Sequence, residues 1–321
     1  MKNIFNKKLT IQILSIVCVS LIIAPVCNAG VKNEIISYNK INDDNQIVKT
    51  KDIIGDFKPT GGTEFWALLV AVGVYENHPD SNRPSMLEAV DNLHDVLTDS
   101  LLWDEKHIHV LKAENATLKN LIREFIWLIL KEDNNDMSLV YITTHGSPAK
   151  DKDGNPLDIP PRDEEDGADE ILVLYRGLEK WNDIIWDDLL NFFLRLLKSK
   201  GICVIIDSCY SGGFNDQYFK SNLKVAPIES FNQGFASEMA SKRRVVLMSC
   251  EEDTLSYGSF FTNFLITGFR GAADLSGNGD GINSAEEAFN YAEPLVRFIT
   301  EGEQCPTMLD LYSGEFTVTF S

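Results

Sequence analysis

Short runs of apolar, often β-branched residues alternate along this chain with stretches of helical spacing, and that alternation limits the folds open to it. Phe65–Val72 (FWALLVAV), His107–Leu111, Met137–Thr144 (MSLVYITT), Glu170–Tyr175 (EILVLY), Cys203–Asp207 and Arg244–Met248 read as strands. Continuous apolar runs of this kind belong to strands buried on both faces. Between them, Pro84–Ser100 places Met86, Leu87, Val90, Leu93, Val96 and Leu97 at helical spacing, and Thr117–Lys131 is a strongly apolar helix. Asp183–Lys198 is amphipathic, with an acidic start and a basic end that suit a helix dipole. Phe260–Gly271 and Ala285–Thr300 read as later helices, and Gly314–Phe320 as a last strand. Strands alternating with helices predict an α/β fold of three layers, a mainly parallel central sheet with helices on both faces.

The chain has 321 residues, 44% of them hydrophobic, which is ample for a sizeable core. Its formal net charge is −19, and the first 29 residues hold Lys2, Lys7 and Lys8 without an acid, so the remainder is more acidic still. Such a surface repels nucleic acid and anionic membrane and suits cationic substrates and calcium. Residues 1–29 have the form of a secretory signal peptide: the three lysines, the apolar Leu9–Val26 and a small-residue end, Cys27-Asn28-Ala29. That form predicts a secreted, cell-surface or periplasmic protein. The alternative is a membrane anchor formed by residues 9–26, because the run approaches the ~18 apolar residues of a span. Residues 30–62 read as a polar linker or pro-segment, leaving residues 63–321 for the domain. Outside the leader, Cys203, Cys209, Cys250 and Cys305 leave three disulfide connectivities open. The absence of CxxC argues against zinc and thioredoxin-type chemistry.

Two of the buried strands end in reactive groups. One runs into Thr143-Thr144-His145-Gly146, the other into Asp207-Ser208-Cys209. Cys209 sits just past the carboxyl end of its strand, the edge where open α/β sheets bind ligands. Taken alone it is as well read as a buried structural cysteine as a nucleophile. If the two strands are parallel neighbours, His145 and Cys209 meet, and an imidazole can take the proton of the thiol. The backbone N–H groups of Gly146 and Cys209 would then supply an oxyanion hole.

Tyr141–Ser147 (YITTHGS) and Ile205–Phe214 (IIDSCYSGGF) resemble the two catalytic motifs of the caspase-like cysteine peptidases, in particular the metacaspases. The resemblance runs over roughly Phe65–Phe320 and is supported by VAVGVY at Val70–Tyr75, the acid-rich loop before EILVLY, Asp187-Asp188, and Phe261-Thr262. It implies a caspase-like fold and a peptidase with Cys209 as nucleophile and His145 as its partner. It also implies cleavage after Arg or Lys, with protein or peptide substrates held at P1 by Asp207 and Asp91 and with Thr143 and Glu88 at the pocket rim. Glu88 departs from the small residue or cysteine usual there, and Tyr210 replaces the usual His. By the same resemblance Asp169, Asp187, Asp188 and Asp216 would bind an activating Ca²⁺, an oxygen-rich set suited to that ion. Read from the residues alone, Asp187 or Asp188 could equally cap a helix. The lysines of Asn215–Lys242 would offer a site for self-cleavage. A second calcium candidate is Asp274–Glu287 (DLSGNGDGINSAEE), a degenerate EF-hand-like loop with Asn278, Asp280, Gly281 and Glu287 at positions three, five, six and twelve. The other class of function is a non-catalytic or purely self-processing scaffold on the same fold.

Overall fold

In the computed structural model the described residues are 62–151, 153–159, 169–210, 243–249 and 259–321, with Cys209 and Tyr210 described by backbone alone. They lie in one unit, Asp56–Ser321. The leader, most of the linker, Asp216, Cys250 and the Asn215–Lys242 segment fall outside them. None of the described helices is long and apolar enough to cross a membrane.

The apolar runs become strands β1 (Phe65–Ala71), β2 (Ile108–Lys112), β3 (Met137–Pro148), β6 (Gly201–Tyr210) and β7 (Arg244–Met248), all parallel, in the order β2-β1-β3-β6-β7. Between β3 and β6, Glu170–Val173 (β4) and Ile184–Trp186 (β5) extend the sheet. β4 pairs antiparallel with Gly146–Pro148 at the end of β3, and β5 pairs with β4. Thr307–Asp310 (β9) closes the β7 edge in the antiparallel sense, while Ile282–Ser284 (β8) and Thr317–Phe320 (β10) form a separate ribbon.

Helices α1 (Pro84–Asp99), α4 (Phe260–Thr267) and α6 (Ala285–Ile299) cover one face. Their Val90, Leu93, Phe261, Leu265, Ala288 and Ala292 pack with Leu69, Tyr141, Ile205 and Leu247. Helices α2 (Leu118–Lys131) and α3 (Asp187–Leu196) bury Leu121, Phe125, Leu190 and Phe193, and Phe125 stacks on Phe193 at 5.0 Å. The predicted mainly parallel α/β sheet flanked by helices is what forms.

The differences from the sequence reading are local. β6 carries Cys209 within the strand rather than past it. The predicted helix Asp183–Lys198 starts late, because Ile184–Trp186 pairs with β4 first. Phe260–Gly271 is helical to Thr267 and then widens into a π turn ending near Gly271, whose φ of 110° an L side chain resists. β5, β8 and β9 were not predicted; each is three or four residues long and exists through a distant partner.

Candidate active site

β3 and β6 pair in parallel over their whole shared length, from Met137↔Gly201 to Gly146↔Tyr210. The register therefore sets Thr143 beside Asp207, Thr144 beside Ser208 and His145 beside Cys209. All lie at the carboxyl edge of the sheet. The strand order reverses there between β1 and β3, and open α/β sheets place their ligand crevice at such a reversal.

The chain leaving β1 builds the wall around His145. Gly73 makes the turn with a φ of 62°, and a Cβ there would stand 2.7 Å from Leu87 Cγ. Beyond it, the Tyr75 ring stacks on His145 with centroids 4.9 Å apart. The hydroxyls order themselves in one direction. The His145 backbone N–H donates to Tyr75 Oη at 3.0 Å. Thr144 Oγ1 donates to the Val173 carbonyl, so Tyr75 donates its own proton to Thr144 Oγ1 at 3.0 Å.

The His145 ring is held from the same loop. Its Nε2 lies 2.9 Å from the Ser81 carbonyl oxygen, which only accepts, so Nε2 carries the proton and Nδ1 is the basic nitrogen. His145 is buried, and its pKa falls to about 4: burial disfavours the imidazolium, the Ser81 carbonyl opposes this, and the positive charge of Arg83 adds to the lowering. At neutral pH the ring is a neutral base.

Asp207 sits under this edge and is buried. Thr262, in the first turn of α4, donates its hydroxyl proton to Asp207 Oδ2, and Tyr141 lies 3.1 Å from Thr262 Oγ1. With that proton committed to Asp207, Tyr141 donates to Thr262. Burial, and then the negative charge of Asp207, hold the Tyr141 phenol well above its usual pKa, so it stays a donor. Thr143 is buried beside Asp207.

The other two predicted pocket residues come from α1. Glu88 and Asp91 are on the exposed face of α1. The Asp91 carboxylate takes Lys112 Nζ at 2.6 Å on both oxygens. Lys112 ends β2, three strand spacings from β6, or about 14 Å between backbones.

The predicted calcium acids form a separate group. Asp169 and Asp187 are buried and Asp188 is half-buried. Asp187 and Asp188 open α3 behind the N-cap Trp186, whose own side chain makes no capping bond, and Asp187 Oδ1 accepts the Asp188 N–H of that first turn at 2.9 Å. Asp169 Oδ2 accepts the Ile159 N–H at 2.9 Å. Its pKa rises to about 7, from burial first and then from the charges of Asp187, Asp158 and Asp188, which outweigh that hydrogen bond. Buried carboxylates crowded in this way suit a hard cation in their donor chemistry. Among the described residues no three His, Cys, Asp or Glu side chains yet stand in ligating geometry.

Several of these residues escaped the sequence reading. Tyr75 and Thr262 stood in the motifs quoted above, but nothing local assigns them a partner. Ser81 contributes a carbonyl, which every residue has, and Asp158 is one acid in an acidic stretch.

A family model described as the caspase domain matches residues 64–314. Metacaspase-1B of Aspergillus fumigatus is 33% identical over 155 residues, 46% of this chain and 35% of that protein. Metacaspase-1 of Saccharomyces cerevisiae is 27% identical over 140 residues, 41% and 30% of the two chains. The matches thus span about a third of the length of these curated relatives. The crystal structure of protein GSU0716 from Geobacter sulfurreducens superposes with a TM-score of 0.52 at 16% identity, over 80% of this chain and 99% of that one, a likeness of fold.

Proposed function

This chain belongs to the caspase-domain family, with metacaspases among its relatives, and from that premise we propose that it is a cysteine endopeptidase working through Cys209 and His145. The observation that carries the reading is the β3–β6 register that sets His145 beside Cys209 at the ligand edge of the sheet.

In the proposed reaction, the Cys209 sulfur attacks the substrate carbonyl carbon as the thiol proton passes to His145 Nδ1. The Ser81 carbonyl supports this by keeping the other ring proton on Nε2. His145 then gives the proton to the leaving amine as the C–N bond breaks. Water, deprotonated by His145, releases the acid from the thioester, and the proton returns to sulfur. The N–H groups of Gly146 and Cys209 are the proposed oxyanion donors. The neutral His145 implies a thiol that becomes thiolate as it attacks.

The substrates we propose are peptides and proteins with Arg or Lys at P1. Asp207 supports this as a buried carboxylate beside Thr143, held by Thr262. Asp91 joins that pocket only if its Lys112 partner is displaced, and Glu88 stands with it on the rim. Calcium would be held by Asp169, Asp187 and Asp188, with Asp158 added and Asp216 from outside the described residues. Its chemistry there is to neutralise clustered charge. Export and self-cleavage remain part of the proposal on sequence pattern alone.

Replacing Cys209 with Ala is expected to abolish hydrolysis of an Arg-P1 peptide and labelling by an Arg-P1 peptidyl ketone. Retained turnover in Cys209→Ala would sink the assignment. Faster cleavage of Asp-P1 than Arg-P1 peptides would overturn the pocket.

A further inference from the structure

The loop between α5 (Ala273–Ser276) and α6 is built around a carboxylate that its helix does not use. Ser284 is the N-cap of α6, and its Oγ accepts the Glu287 N–H at 3.1 Å. A glutamate at this N3 position ordinarily reaches back to the N-cap N–H. Glu287 instead turns into the preceding loop, where its Oε1 accepts the Asn278 N–H at 3.1 Å. The side chain is 8% exposed, and its Oε2 is buried without a hydrogen-bond partner among the described residues. A buried, unsatisfied carboxylate oxygen costs stability unless a cation meets it.

The loop is shaped to that carboxylate. A Cβ at Gly277 would fall 2.3 Å from Glu287 Oε1, and Gly279 and Gly281 have φ of 71° and 87°. Oxygen atoms line the same turn. Asp274 Oδ1 holds the Gly281 N–H, Asn278 Oδ1 the Asp280 N–H, and Asp280 Oδ1 the Ile282 N–H. From the far side, Glu315 approaches Asn278 Nδ2 at 3.5 Å. The two glutamates and two aspartates bring four negative charges to one short loop with no lysine or arginine in it.

We propose that Asp274–Glu287 is a calcium site, with Glu287 Oε2 and the oxygens of Asp274, Asn278 and Asp280 as its ligands; its three acids do not stand in ligating geometry in this structure, and the ion would draw them together. It is separate from the Asp169–Asp187–Asp188 group and does not rest on the peptidase reading. Oxygen donors on a flexible, glycine-bearing turn fit the larger ion and its variable coordination better than the strict octahedron of magnesium. The ion would tie the entry to α6 against the end of α5. Because α6 packs beside α4, which carries Thr262, the site would steady the helix that holds Asp207.

The test is calcium titration of the full chain carrying Cys209→Ala, by calorimetry and by melting temperature. Glu287→Gln and the exposed Asp280→Asn are each expected to remove one bound calcium or weaken it at least tenfold. Either should also remove a rise in melting temperature of roughly 5 °C seen at calcium a hundredfold above its Kd. Asp187→Asn combined with Asp188→Asn is expected to leave this site intact. An unchanged calcium count and affinity in Asp280→Asn would overturn the site, even if Glu287→Gln fails to fold. Equal binding of Mg²⁺ would overturn the choice of ion. A chain with Asp187→Asn and Asp188→Asn that binds no calcium would confine the ion to the other acids.

Discussion

Asp207 and Asp91 are the two acids that the resemblance to metacaspases assigns to one pocket, yet they occupy opposite settings. Asp207 lies in a central strand near its carboxyl edge, is out of solvent, and accepts a hydrogen bond from a hydroxyl fixed by another helix. Asp91 stands on the outer side of α1, well exposed and clasped by Lys112. A charge in the first setting is poorly screened and geometrically fixed. A charge in the second is surrounded by water and paired with a long side chain that swings away at small cost. Recognition of a cationic side chain should therefore rest on the buried member, with the exposed one contributing a modest field.

The sharpest way to break that contrast is Asp207→Asn. It is expected to lower kcat/KM for an Arg-P1 peptide by about 10²–10³, the scale of losing one partner of a buried charge pair. A loss under fivefold would place recognition elsewhere.

Next is the pH response, which the buried edge alone should carry. His145 has a pKa of about 4 in the folded chain against 6.5 for an ordinary histidine. Between those values the unfolded chain binds a proton that the folded chain refuses. The group's contribution is thus complete above pH 6.5, falls as pH drops, and is gone below about 4, a total of about 3 kcal/mol. His145→Gln should remove this component. The difference between the two urea-unfolding curves against pH would show it, and a flat difference would contradict it. The same neutral base predicts that the acid limb of kcat/KM lies below pH 6.5.

Thr262→Val keeps the shape and deletes the hydroxyl between Tyr141 and Asp207. A loss of about tenfold in kcat/KM is expected from one buried hydrogen bond to a charge. The smallest effect belongs to Asp91→Asn, within about threefold at physiological salt and shrinking further as salt is raised. An Asp91 effect equal to that of Asp207 would erase the distinction between the two settings.

Much of this arrangement is legible in the sequence, for reasons that also explain what is not. The parallel core is legible because strands buried on both faces must be apolar throughout, and Met137–Thr144 and Cys203–Asp207 are. His145 and Cys209 stand out because polar, reactive residues end those runs. β9 is not legible: its residues are half exposed, and it forms because β7 presents an open edge. Tyr75 and Ser81 act only once the loop past Gly73 has folded across β3, a non-local event that no spacing encodes. Asp91 is legible only in part. Its spacing from Glu88 is correct for one helix face, but a lysine on β2, met only in three dimensions, has taken its charge.

Pairing between strands advances in whole residues. A slip of one position along β6 would set Ser208 or Tyr210 opposite His145 and turn every side chain of the strand to the other face, apolar core included. No intermediate setting exists. The facing of His145 and Cys209 is therefore digital: it is either kept to the residue or lost with the fold. Gradual exchange of core side chains can loosen or stiffen the sheet, but it cannot drift this juxtaposition by degrees, so the alignment is protected by the same packing that makes the domain stable.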